Sequence, residues 1–253
     1  MKKLAGIVVF MVGLLLFYGV SNVDDFPGWG DPDSPANASP LSQYFITDTI
    51  KDSEVPNMVT AVLADYRGYD TMFETVVIFI AGIAIFAVVR VSRNNSPVCG
   101  GNKDDEPDLI ITTTCRLLVP VIQIFALYVL AHGHSSPGGG FQGGVIMGAS
   151  FILVAVAWDL DTALGRFSEK AAIACAGLGI IIYAGFGLAS MFYGEEFLNY
   201  GITYKLLPGV ESPEMARYYG MLGVEVGVMF TVASVMFLIY GLLSTRGRMS
   251  GGL

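Results

Sequence analysis

With 253 residues, 53% of them hydrophobic and only 14% charged, the chain is too oily for an ordinary soluble domain, where about a quarter of residues carry charge. A net charge of −8 and only fourteen Lys and Arg exclude a nucleic-acid binder built on phosphate contacts. The cysteines Cys99, Cys115 and Cys175 are far apart and form no C-x-x-C pair, which argues against a metal or disulfide framework.

The charges cluster, leaving six apolar runs: Leu4–Val20, Thr75–Val91, Leu109–Ala131, Gln142–Trp158, Ala171–Tyr193 and Tyr219–Leu243. Each has about 17 to 25 residues, enough at ~1.5 Å per residue to cross a hydrocarbon core of ~30 Å with varying tilt. Lipid offers the backbone no hydrogen bonds, so such runs must be helices. The expected fold class is therefore all-α, a polytopic transmembrane protein of about six spans. The first run also has the outline of a secretory signal: Lys2 and Lys3, an apolar stretch, then Gly19-Val20-Ser21. Its apolar length exceeds a usual signal core and favours an uncleaved anchor.

Basic residues orient the spans. Lys2, Lys3, Arg90, Arg93, Lys103, Arg166, Lys170, Arg246 and Arg248 fall on one side, and Lys51, Arg67, Lys205 and Arg217 on the other. The imbalance predicts that both termini are cytoplasmic. Residues 21–57, with seven acids, one base and five prolines, then read as an irregular acidic loop outside. After it, Met58, Val59, Val62 and Leu63 recur at helical spacing, so a short amphipathic helix at the outer interface is expected. The polar stretch Ser92–Asp108 is the clearest linker. The expected division is residues 1–93 with two spans, a cytoplasmic linker at 94–108, and residues 109–253 with four spans.

The stretch "YVLAHGHSSPGGGFQGGVIMG" holds both histidines. Gly138, Gly140 and Gly143 satisfy G-x-G-x-x-G, and Asp159 and Asp161 follow at the distance a dinucleotide site would use. Such a site needs a strand before the glycines and a soluble helix after them, whereas membrane-type helices flank this loop. Asp159 would also lie roughly 25 Å away at the far end of the next helix. The loop reads instead as a tight reversal at the outer face. Pro137 would stop the third helix, Gly138, Gly139 and Gly140 would permit the turn, and Gly143, Gly144 and Gly148 would continue a small-residue surface for helix packing. His132 and His134, expected near water, either relay protons or cap the last carbonyls of the third helix.

The string from His132 to Gly144 resembles the signature of the MnhB/MrpB family, subunits of multisubunit Mrp-type sodium/proton antiporters. The likeness runs from about residue 109 to 245 and includes "GVEVGVMFTVASVMF". A second stretch, "NMVTAVLADYRGYDTMFETVVIFIAGIAIFAVVR", is similar to the MbhE-type region at the end of the large MrpA subunit, which also occurs as a separate subunit of membrane-bound hydrogenases. The resemblance implies a multi-pass subunit in a prokaryotic cell membrane, beside antiporter-like and small MnhC/MnhG-like subunits. An MbhE-like piece fused to an MnhB-like piece looks more like hydrogenase-linked respiratory complexes than stand-alone antiporters. Iron–sulfur clusters and any nickel–iron centre would then belong to partner subunits, with no cofactor in this chain and no catalysis by it alone. A non-conducting scaffold remains the alternative.

Glu225 is the sharpest candidate for ion translocation. A charge deep in a bilayer costs at least about 2.5–3.5 kcal/mol on insertion scales, so this acid must face protein, water or an ion path. It either binds a cation or proton or hydrogen-bonds a neighbouring helix. Arg116, inside the third span, either attracts an acid of another subunit or snorkels to the interface. Asp65, Arg67, Asp70 and Glu74 belong to "ADYRGYDTMFE"; Arg67 and Asp70 are spaced to pair on a helix, and Glu74 would open the second span. The cluster serves transport or docks this segment on a partner.

Overall fold

The computed structural model describes residues 2–21, 39–89, 109–205, 209–245 and 247. Residues 22–38 of the acidic loop, the linker at 94–108 with Cys99, and Arg90, Arg93, Lys103, Arg246 and Arg248 lie outside the described residues. The chain divides into two units, Met1–Asp48 and Thr49–Leu253. The first contains helix α1 (Lys2–Ser21) and the start of α2 (Pro40–Ser53).

The second unit continues with α3 (Met58–Ala61), which runs into a π-helical turn at Val62–Tyr66. Then come α4 (Gly68–Val89), α5 (Leu109–Ala131), α6 (Gly140–Ala157), the short α7 (Leu160–Arg166), α8 (Glu169–Phe192), a 3-10 segment (Tyr200–Lys205) and α9 (Pro213–Ser244). Among the described residues there is no strand, and the all-α, membrane-type architecture stands. Helices α4, α5, α6, α8 and α9 are long and apolar enough to cross a bilayer; α1 is apolar over the shorter Gly6–Ser21.

Several expected boundaries move. The acidic loop is not irregular throughout, because α2 occupies Pro40–Ser53. The Ser39 hydroxyl accepts the Ser42 amide at 3.1 Å and Pro40 opens the helix, a start signal that composition alone hides. Helix α4 begins at Gly68, seven residues before Thr75, so Asp70 and Glu74 lie inside it. Helix α9 begins at Pro213 behind an N-cap at Ser212, whose hydroxyl accepts the Met215 amide at 3.1 Å. Pro137 does not stop α5, which ends at Ala131 and carries Pro120 within it.

Helix α9 is the axis of the second unit. Two-thirds (67%) of its apolar stretch is buried, against 11% for α4 and 22% for α5. Gly140, Gly144 and Gly148 of α6, spaced one turn apart, lie directly on it. A β-carbon at Gly140 would run into the carbonyl oxygen of Glu225, one at Gly144 would sit 2.8 Å from Val232 Cβ, and one at Gly148 would lie 3.0 Å from Ala233 O. Gly143 turns to the other side, where its β-carbon would meet Ala126 O of α5 at 3.0 Å. On the opposite flank, Gly179 of α8 and Gly227 of α9 touch backbone to backbone, and Thr231 Oγ1 donates to Ala176 O at 3.0 Å. In lipid no hydrophobic driving force pulls helices together, so close backbone approach and interhelical hydrogen bonds must hold them.

Gly140→Ala should therefore destabilise the protein by about 1–3 kcal/mol through overpacking. Gly177→Ala, where an added β-carbon meets nothing, should be neutral or stabilising by about 0.5–1 kcal/mol. Thermal unfolding of the detergent-solubilised variants measures both.

Candidate functional site

The site is assembled where α3, the turn between α5 and α6, and the first half of α9 meet. Asn57 caps α3, its Oδ1 accepting the Val59 amide at 3.1 Å. Its Nδ2, with two hydrogens to share, lies 2.8 Å from Gly133 O, 3.0 Å from Ser136 O and 2.9 Å from Thr60 Oγ1. Thr60 Oγ1 donates to Gly133 O at 2.7 Å, and the Asn57 amide donates to His134 O at 2.9 Å. These bonds latch the turn onto α3. The turn also folds back on α5 through Gly139 N to Val129 O at 3.1 Å, with Gly139 at φ 120°, a conformation suited to glycine.

The π-helical turn closes through Arg67 N to Val62 O at 2.8 Å. Around it, three carbonyls are taken by hydroxyls: Leu63 O by Thr71 at 2.7 Å, Ala64 O by Tyr200 at 3.2 Å, and Gly68 O by Tyr183 at 2.8 Å. Tyr183 and Tyr200 are fully buried, so these bonds meet a requirement that water cannot meet there.

Glu225 lies under the turn. It is 8% exposed, and its Oε2 has no hydrogen-bond partner. The carboxylate abuts Gly133 and Gly139, where a β-carbon would come within 3.1 Å of Oε2 and 2.8 Å of Oε1, respectively. A cavity of about 440 Å³ opens beside it, whose polar side chains belong to Asn57, Thr60, Thr71, Glu74, Thr75, Gln142 and Glu225. Pro137, Gly138, Gly139 and Gly140 complete its wall. Glu225, Glu74 and the glycine turn, separate in sequence, thus share one cavity.

The other candidates fall outside it. His132 is exposed, stacks on Tyr128 at 4.0 Å and places Nδ1 3.1 Å from Tyr128 O, a carbonyl in the last turn of α5. His134 is not near water as expected: it is 1% exposed, packs on Tyr218 at 4.4 Å, and neither ring nitrogen has a partner. Burial pushes its imidazole down to about 4. Asp65, its side chain 3% exposed, lies 3.3 Å from Arg217 Nε, an ion pair without hydrogen-bond alignment. Burial pushes this carboxyl up to about 6; Arg217 pulls it down and Asp52 adds to the rise. Arg217 Nη1 also donates to Asp52 O at 3.3 Å, and Tyr66 Oη to Asp52 Oδ2 at 2.8 Å. Arg67 and Asp70 pair as spaced, on the surface, where such a bridge is worth little. Arg116 is exposed on α5, and Asp159 caps α7 by accepting the Thr162 amide.

Sequence reasoning missed Asn57, Thr60, Thr71, Thr75, Gln142, Tyr183, Tyr200 and Tyr218. Only Asn57 carries a local signal, as a capping residue ahead of a helical pattern. Arg217 reads in sequence as an outer-side charge alone.

Residues 110–238, half of the chain, match the family described as "Domain related to MnhB subunit of Na+/H+ antiporter". The chain belongs to the MnhB family. Residues 34–101 match a second family, MbhE, described as one of the subunits of MBH. Among relatives of the MnhB part, the B-type subunit of the Na(+)/H(+) antiporter of Bacillus subtilis is 33% identical over 135 residues, 52% of this chain and 94% of that protein. The A/B-type subunit of the probable K(+)/H(+) antiporter of Rhizobium meliloti is 27% identical over 190 residues, 67% of this chain but only 19% of that much longer protein. In a solved Mrp complex from Dietzia sp., one chain superposes with a TM-score of 0.70 at 25% identity, covering 99% of this chain and 26% of that one. A chain of the archaeal membrane-bound sulfane sulfur reductase shares the fold with a TM-score of 0.61 at 24% identity, covering 91% and 97%.

The two shifted groups titrate with opposite sign. His134, at about 4 folded against 6.5 ordinarily, contributes stability that is present above pH 6.5 and lost as pH falls through 4. Asp65, at about 6 against 3.8, carries a cost absent below pH 3.8 that grows as pH rises through 6. Melting temperatures followed across pH 6.5 to 4 should fall less on acidification in His134→Gln, and more in Asp65→Asn, than in the unaltered protein.

Proposed function

We propose that this chain is a membrane subunit of the ion-translocating, Na+/H+ antiporter-like module of a multisubunit Mrp-type complex. The observation that carries the reading is the family's run from His132 to Gly144, which closes over the buried carboxylate of Glu225, whose Oε2 has no hydrogen-bond partner. In this reading Glu225 and Glu74 offer steps to a sodium ion or proton, and the glycine turn seals the path against α9. His134, Asp65 and Arg217 hold the wall, while His132, Arg67, Asp70 and Arg116 stay outside it. The chain is multi-pass in a prokaryotic cell membrane. Both termini face the cytoplasm, so the cavity belongs to the outer half.

The setting is an ion-pumping respiratory complex of hydrogenase-like type. One feature supports it: an MbhE-type segment joined directly to an MnhB domain. Redox chemistry, with its iron–sulfur and nickel–iron centres, resides in peripheral partners, and antiporter-like and small MnhC/MnhG-like subunits flank this one. The proposed organisation of the chain is 1–93, 94–108 and 109–253.

Purified in mild detergent, the tagged chain should bring down antiporter-like subunits together with a hydrogenase-type large subunit, identified by mass spectrometry. A full-length MrpA-like chain in their place would assign the complex to stand-alone antiporters, and recovery without any membrane partner would reject the reading. In vesicles holding the assembled complex, Glu225→Gln should reduce ion transport toward that of vesicles without it.

A further inference from the structure

The cavity beside Glu225 holds charge of one sign. Two carboxylates line it, Glu225 and Glu74, and among the described residues no Lys, Arg or His does. The N-terminus of α6, capped by Gly139 without a side-chain bond, supplies some positive potential, but only about half a unit charge. Free hydrogens are scarce as well. The Thr60, Thr71 and Thr75 hydroxyls each donate to a backbone carbonyl, at 2.7, 2.7 and 2.8 Å. Gln142, exposed at the edge, is uncharged. Glu225 Oε2 stays buried without a hydrogen bond, and a buried carboxylate calls for a positive partner. The mouth of the cavity is apolar: Val59, Leu63 and Phe141 line it and are exposed. Glu74 is flanked by the exposed Phe73 and Val77 on α4, the least buried of the five spanning helices. This chain therefore leaves an oily surface around an acidic hole.

We propose that a lysine side chain of a neighbouring membrane subunit enters this cavity and pairs with Glu225, seating that subunit's helix on the exposed faces of α3 and α4. Charge complementarity selects a cation, and two observations select lysine. The buried unbonded atom is one oxygen, Oε2, which suits a point donor, whereas an arginine fork asks for two acceptors side by side. A stem of four methylenes can lie along Val59, Leu63, Val224 and Val228 of the lining while the ammonium reaches the acid. The volume of about 440 Å³ falls in the range of occupied sites, ~300–1,000 Å³, so a whole side chain fits. An amine-bearing lipid is the weaker occupant. Its phosphate would enter beside two carboxylates, with no base in the lining to receive it. Glu74, exposed at the rim, draws the ammonium toward the mouth.

The inference rests on the reading of this chain as one subunit of a multisubunit membrane module. The test treats the intact complex with dicyclohexylcarbodiimide, which activates a carboxyl and joins it to an amine in contact. An amide forms, and the reagent takes up the water and leaves as its urea. Mass spectrometry of the digested complex should find the Glu225 peptide joined to a lysine in a membrane helix of a partner subunit. The product should be missing in Glu225→Gln, and recovery of that partner with the tagged chain should fall at least about tenfold. Glu225→Lys, combined with the partner's lysine changed to glutamate, should restore recovery, a rescue that a pure packing role for Glu225 would not give. An unreacted Glu225, one carrying only the reagent, or one joined to a lysine of this chain overturns the proposal. An adduct with phosphatidylethanolamine does the same and makes the occupant a lipid amine. If Glu225→Gln does not assemble, the product in the unaltered complex decides alone. Partners present without the amide remove this inference and leave the module reading intact; a chain recovered with no membrane partner removes both.

Discussion

Everything around the cavity depends on how closely α6 approaches α9 at Gly140. Only a hydrogen at that α-carbon lets the backbone reach the Glu225 carbonyl. The contact places the preceding turn over the acid, and Gly144 and Gly148 repeat it one and two turns further along. A stripe of small residues along one helix face is a common packing device in lipid. In this protein its first member also sets the ceiling of a polar chamber. Packing and chemistry share the same residues, so neither can change alone.

Much of the architecture was legible because lipid imposes a crude rule. Long uncharged runs must be helices, and five of them appear as helices long enough to span. The turn at 132–139 and the isolated acid at Glu225 were likewise visible, one by its glycines and the other by its apolar surroundings. Their juxtaposition was not, because nothing local in "GVEVGV" says which neighbour covers the glutamate. Helix ends differ from the apolar runs because both helices begin in polar stretches, one at Gly68 and the other at Pro213 behind its Ser212 cap. The Pro40 helix went unseen inside a stretch whose composition suggested a loop. The Asp65–Arg217 pair spans 152 positions by subtraction of their numbers, beyond any spacing rule.

The buried polar groups divide into two kinds. Asn57, Thr60, Tyr183 and Tyr200 are bonded to carbonyls in other segments, and they fix geometry. His134 and Glu225, like Asp65 beside Arg217, have buried atoms without a hydrogen bond, a state that costs free energy and calls for an explanation. For His134 the explanation is aromatic packing against Tyr218 with the ring neutral. For Glu225 no such cover exists, and the chamber at its side offers one.

The hydrogen bonds that close the site cross great stretches of chain: 79 positions from Asn57 to Ser136 and 136 from Tyr200 to Ala64. Their donors and acceptors fall on both sides of the boundary between the MbhE-type segment and the MnhB domain. Were these halves made as separate polypeptides, each would have to find the other in the plane of the bilayer. Carried on one ribosomal product, they meet at an effective concentration of order millimolar and in a fixed ratio of one to one. Gene fusion here removes a diffusional search from biogenesis.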